Sequence, residues 1–154
     1  MRSSAKNRLS VLVSVFLLMG SAGVANAQTN ISNSPNWISS CPRLAVDSAG
    51  NVHAVWAEFY SWNGPYPATG DAFYSKYTIA TNQWSTPVNL SNSGHCASGE
   101  ALSVGIDADA SGNVYVVYVD QPSVKLRILS GGSWSAPFDV GSASSIDGAR
   151  IAVD

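Results

Sequence analysis

Arg43-Leu-Ala-Val-Asp47-Ser-Ala-Gly50-Asn51-Val-His-Ala-Val-Trp56 returns later in the chain as Gly105-Ile-Asp-Ala-Asp109-Ala-Ser-Gly112-Asn113-Val-Tyr-Val-Val-Tyr118. Arg150-Ile-Ala-Val-Asp154 opens the phrase a third time. Between the copies runs a second phrase, Asn82-Gln-Trp84-Ser-Thr-Pro87-Val-Asn-Leu-Ser91, which matches Gly132-Ser-Trp134-Ser-Ala-Pro137-Phe-Asp-Val-Gly141. The shared aspartates Asp109 and Asp154 stand 45 residues apart, and Asp47 and Asp109 stand 62 apart. A period in the forties holding about four strands is what β-propeller blades show.

The spacing predicts strands in the first unit over Arg43–Asp47, Asn51–Glu58, Ala72–Ile79 and Trp84–Leu90. The second unit repeats them over Ser103–Asp107, Asn113–Asp120, Ser123–Leu129 and Trp134–Val140. Asp47-Ser-Ala-Gly50-Asn51 supplies an acceptor side chain and a glycine for positive φ, as a tight hairpin needs. Val52, Ala54 and Trp56 alternate with Val55 and Ala57, so the second strand is apolar on both faces and suits burial between stacked sheets. No segment after the first 27 residues has the periodic Leu, Ala, Glu and Lys of a long helix.

The expected fold is all-β: a partial β-propeller of about two four-stranded antiparallel blades plus the first strand of a third. A lead-in covers 28–41, blade one 42–91, a linking loop and blade two 92–141, and the start of blade three 142–154. Propellers close with roughly four to eight blades. The chain therefore reads as a fragment of a longer protein, with the remaining blades of the same propeller as partners. The alternative is a short chain that closes a ring by oligomerising.

Arg2, Lys6 and Arg8, an apolar run from Leu9 to Met19, and small residues ending in Ala25-Asn26-Ala27 have the three parts of a cleavable signal peptide over 1–27. Cleavage after Ala27 removes three of the eight basic residues and none of the ten acids, taking the formal charge from −2 to −5. The expected location is outside the cytoplasm: periplasmic, extracellular or cell-surface. No transmembrane segment is expected after cleavage. The five basic residues left, Arg43, Lys76, Lys125, Arg127 and Arg150, are scattered, which argues against nucleic acid as a partner. Cys41 and Cys96 are the lone cysteine pair of an exported chain and are expected to form a disulfide. The alternative, metal binding by Cys96 with His95, lacks a C-x-x-C pair or a second nearby histidine, so no metal and no cofactor is expected.

The longer spacing between the first two copies comes from insertions at 59–70 and 92–100, which share one face of an up-and-down blade. Loops on one face of a repeat scaffold are where binding sits. Tyr60, Trp62 and Tyr66 are binding candidates there, since aromatic rings offer flat apolar surface with polar handles to sugars; packing against their own blade is the alternative. His95 and Glu100 belong to the second insertion. Glu58, Asp71 and Glu100 are the acids on that face, and their spacing singles out no catalytic pair. Asp107-Ala-Asp109-Ala-Ser111-Gly112-Asn113 imitates the start of a calcium loop, but Tyr118 stands where the closing glutamate belongs, so a hairpin turn is the better reading.

The Trp-Ser-x-Pro phrase after a turn resembles the end of an Asp-box, and the unit over Pro42–Asp154 is similar to the BNR (Asp-box) repeats of sialidase-like β-propellers. It departs from them in lacking the central aspartate before Trp84 and Trp134. The resemblance implies arginines at inner-strand starts that bind a substrate carboxylate, a role for which a guanidinium fork is suited. Arg43 and Arg150 hold that place, whereas Gly105 stands there in the second unit. Pairing of Arg43 with a nearby acid is the structural alternative. The expected function is an exported propeller repeat module that binds extracellular glycan or protein. The alternative is a sialidase-like exo-glycoside hydrolase whose catalytic residues lie mostly outside this segment.

Overall fold

The structure is a computed structural model that describes residues 29–59, 70–92, 104–142 and 148–154. It is all-β, with two antiparallel sheets. The strands are β1 (Ile38–Val46), β2 (Val52–Phe59), β3 (Gly70–Thr78), β4 (Gln83–Trp84), β5 (Val88–Asn89), β6 (Val104–Ala108), β7 (Val114–Asp120), β8 (Ser123–Ser130), β9 (Ser133–Trp134) and β10 (Phe138–Ser142). The first sheet runs β1-β2-β3-β4, with β5 also paired to β3. The second runs β10-β8-β7-β6, with β9 also paired to β8.

Both first hairpins close on the same side-chain network. Asp47 Oδ1 accepts from the N–H groups of Ala49 at 3.0 Å and Asn51 at 2.9 Å, and Oδ2 accepts from Asn51 Nδ2 at 2.8 Å. Asp109 receives Asn113 N–H at 2.9 Å and Asn113 Nδ2 at 2.7 Å. Gly50 and Gly112 both sit at φ 82°, where a side chain would be strained. The turn is therefore specified locally, by an aspartate that ties the backbone of the residues following it.

The fourth strands differ from expectation. Trp84–Leu90 and Trp134–Val140 are each broken in two at the Ser-x-Pro step, because Pro87 and Pro137 carry no N–H for the ladder. The serine bridges the gap. Ser85 N–H donates to Lys76 O at 2.8 Å while its hydroxyl accepts Lys76 N–H at 3.0 Å. Ser135 repeats both contacts on Ile128 at 2.8 and 3.0 Å. The first strand also begins earlier than expected, at Ile38 in the lead-in, with an irregularity between Ser40 and Arg43 where Cys41 adopts φ 53°. Residues 150–154, expected as the first strand of a third unit, are not hydrogen-bonded as a strand: no strand of their own unit pairs with them among the described residues.

Side chains alternate across each sheet, so each has a forward face and a rear face. The forward face of the first sheet carries Val55, Ala72 and Tyr74. These pack with Leu90 against Val104, Val114, Val116 and Tyr118 on the rear face of the second, with Ile106, Ala108, Leu129 and Trp134 around them. β2 is buried on both faces from His53 to Phe59. Arg127 ties the two layers: its Nε donates to Ser135 O at 2.8 Å, its guanidinium to Leu90 O at 2.9 Å, and it lies over the Trp134 ring at 5.7 Å. The forward face of the second sheet, Val117, Val119, Val124 and Leu126, is covered by Ala149 and Ile151. Ala149 and Val104 each stand five residues before the shared aspartate. The second packing step therefore starts as the first one does. Gly105 permits the crossing: a Cβ there would stand 2.9 Å from Val117 Cγ2 and 3.2 Å from both Ala149 O and Arg150 Cα.

Candidate functional site

Two carboxylates meet at one end of the first sheet. Glu58 on β2 is the cross-strand partner of Asp71 on β3, so both project from the rear face. Both are buried, Glu58 to 1% exposure and Asp71 to 4%. Buried carboxylates need donors, and both have them. Glu58 Oε1 accepts from Ser34 Oγ at 2.8 Å, Ser39 Oγ at 3.3 Å and Trp56 Nε1 at 2.8 Å. Among the described residues no hydrogen bond reaches Glu58 Oε2. Asp71 accepts from Asn89 Nδ2 at 2.9 Å and from Ser91 Oγ.

Alternation places aromatic rings beside the acids. Trp56 lies two residues before Glu58 on the same face and stacks on Phe73 with centroids 6.2 Å apart and planes 22° from parallel. Trp37, 44% exposed, also meets Phe73, with ring centroids 6.5 Å apart and planes tilted by 48°. A cavity of about 220 Å³ opens among Ser34, Pro35, Trp37, Glu58 and Phe73. It is lined by aromatic ring surface from Trp37 and Phe73, the Glu58 carboxyl as acceptor, and serine hydroxyls that can donate or accept. No protein-family model matches this chain, and no curated protein matches it. The site stands on its own geometry.

Of the residues singled out from the sequence, Tyr60, Trp62, Tyr66, His95, Cys96 and Glu100 lie outside the described residues. The chain leaves β2 after Phe59, next to Glu58, so the first insertion starts at the edge of the carboxylate site. Arg43 is exposed on β1, and its guanidinium donates to its neighbour Pro42 O at 3.0 Å. It is not brought to Glu58 or Asp71, and no acid pairs with it among the described residues. The expected Cys41–Cys96 disulfide is not seen: Cys41 is a free thiol that packs on Ala57 and Phe59 and accepts a hydrogen bond from Ser40 Oγ at 3.2 Å. Among the described residues no group of three or more metal-ligating side chains occurs. Asp107 instead accepts its own neighbour's N–H, Ala108, at 2.9 Å, and Val153 N–H at 2.8 Å.

A second polar cluster is buried between the sheets. Tyr74 Oη lies 2.7 Å from His53 Nδ1, and His53 Nε2 lies 3.1 Å from Asp47 Oδ2, with Lys76 Nζ 3.8 Å from the same oxygen. Burial alone would raise the Asp47 pKa, but hydrogen bonds from Asn51 and His53 outweigh it and hold the carboxyl well below the usual range. Burial lowers the His53 pKa, against the opposing pull of Asp47. Burial also pushes the Tyr74 phenol up. An ionised Asp47 accepts a hydrogen bond from His53 Nε2–H, leaving Nδ1 to accept from Tyr74 Oη. In the second sheet Tyr115 occupies the histidine's place, its hydroxyl donating to Asp109 Oδ2 at 3.0 Å. Histidine and tyrosine thus do the same job, capping the turn aspartate. That makes the His53 chain a structural element of the hairpin and not a proton relay.

Proposed function

We propose that this chain is an exported β-propeller repeat module, its two sheets successive blades, and that it binds neutral extracellular glycan at the Glu58–Asp71 end of the first blade. The observation that carries the ligand is the Trp37–Phe73–Trp56 aromatic row set against two buried, hydrogen-bonded carboxylates. The blade reading is supported by the repeated packing step, in which the forward face of one sheet meets the start of the next copy of the repeat, at Val104 of β6 and again at Ala149. The Glu58 carboxyl that lines the cavity disfavours a sugar that is itself an anion. Arg43, exposed and bonded to its own backbone neighbour, contributes no carboxylate clamp there. Both points favour a neutral glycan over the sialoside of a hydrolase.

The test is calorimetric titration of the mature protein with a neutral oligosaccharide and, separately, with a sialylated one. Binding of the neutral sugar that weakens about tenfold in Trp37→Ala and in Glu58→Gln supports the reading, a loss of the order of one stacking or charge-assisted contact. Selective binding of the sialoside that disappears in Arg43→Ala would favour the hydrolase instead.

A further inference from the structure

The same repeat positions are covered in one sheet and bare in the other. On the rear face of the second sheet, Ile106 and Ala108 pack against the core between the sheets. Their counterparts on the rear face of the first sheet, Leu44 and Val46, are 65% and 61% exposed. Beside them a groove of about 690 Å³ runs among Pro42, Leu44, Ala54 and Trp56, bounded by residues 29–32. The surface that covers a rear face within this chain is a forward face: Val55, Ala72 and Tyr74. Among the described residues there is one more forward face, Val117, Val119, Val124 and Leu126 of the second sheet, covered by Ala149 and Ile151. The segment holding it, Arg150-Ile-Ala-Val-Asp154, differs from Arg43-Leu-Ala-Val-Asp47 of β1 at one residue, Ile151 for Leu44.

We infer that the bare rear face of the first sheet docks on the second sheet of another copy of this chain, head to tail, and that Arg43–Asp47 of the incoming copy takes the place of Arg150–Asp154. The two segments are alternative occupants of one surface, with the same sequence pattern and the same apolar side chains to offer it. Residues 148–154 then act as an internal competitor that limits assembly. Head-to-tail contacts of this kind are heterologous and add copies until a ring closes or a filament grows. The inference rests on the repeat-stack part of the proposed function and is independent of its ligand. If Val116→Asp, at the interface between the sheets, left the melting transition unchanged, the stack itself would be refuted before association is tested.

Sedimentation velocity of the mature protein across a concentration series tests the docking, with circular dichroism melting to check that each variant folds. The wild type should associate as concentration rises. Leu44→Asp, on an exposed residue, should weaken association at least about tenfold, as removal of one buried leucine contact does. Ile151→Asp, which loosens the competitor, should strengthen it, and the double variant should behave as Leu44→Asp. Where Ile151→Asp does not fold, excess heptapeptide of residues 148–154 added to the wild type provides the second arm and should suppress association. A wild type that stays monomeric throughout, association unaffected by Leu44→Asp, or association unaffected by the heptapeptide would each overturn the inference.

Discussion

Replacing Asp47 by alanine should cost far more than the same change at Asp109, although the two aspartates hold the same place in the repeat. Asp47 accepts four hydrogen bonds, from Ala49 N, Asn51 N, Asn51 Nδ2 and His53 Nε2. The alanine variant strands two side-chain donors out of water, since Asn51 is 8% and His53 1% exposed. At about 1–3 kcal/mol for each orphaned buried donor, the loss is about 4 kcal/mol, a large share of the stability of a small domain. At Asp109 the partners Asn113 and Tyr115 are only half-buried, and water can replace the carboxylate. Urea denaturation of both variants and the wild type at pH 7, at one protein concentration because self-association shifts apparent stability, measures the difference. Equal losses for the two variants would refute the reasoning, because they would mean that burial of the histidine cap adds nothing.

Three further outcomes follow from the same structure. His53 and Asp47 both have folded-state pKa values below their ordinary 6.5 and 3.8, so in each window the unfolded chain binds the extra proton and stability falls with falling pH. Urea midpoints should drop first below about pH 6.5 and again below about 4, and a flat profile from pH 7.5 to 5 would contradict the His53 environment. Gly105→Val should drive Ala149 and Arg150 off the second sheet, seen as faster amide exchange at Val153, whose N–H donates to Asp107; unchanged exchange would mean that the segment is not seated there. Ser85→Ala and Ser135→Ala should each cost about 1 kcal/mol by thermal melting, since each loses the hydroxyl that accepts a ladder N–H across the strand break.

The repeat was legible because its turns are local. Asp47 through Asn51 and Asp109 through Asn113 carry acceptor, glycine and amide within five residues, so the hairpins follow from chemistry close in sequence. The Ser-x-Pro breaks were not legible as breaks, because the strand pattern resumes beyond the proline and the bridging serine hydroxyl acts across strands. The carboxylate pair was half visible. Glu58 and Asp71 stood on the expected face, but an insertion between β2 and β3 hides the register that makes them partners. Trp37, Ser34 and Ser39 were missed because they belong to a lead-in without periodicity, whose place on the rear face is set by Glu58 itself. Trp56 and Phe73 had a readable signal in two-residue alternation with Glu58 and Asp71. Arg43, the residue that the family resemblance favoured, lies on the exposed part of β1, away from both acids.

The Trp56 indole N–H, which donates to Glu58 Oε1 at 2.8 Å, is a reporter built into the candidate site. Its proton resonance in a two-dimensional NMR spectrum, followed while a neutral oligosaccharide is added to the protein, tests the central claim directly. The account predicts a saturable shift of the Trp56 indole together with that of Trp37, while Trp84 and Trp134 stay in place. Saturable shifts at Trp84 or Trp134 with Trp56 and Trp37 unmoved, or no shift in any indole, would contradict it.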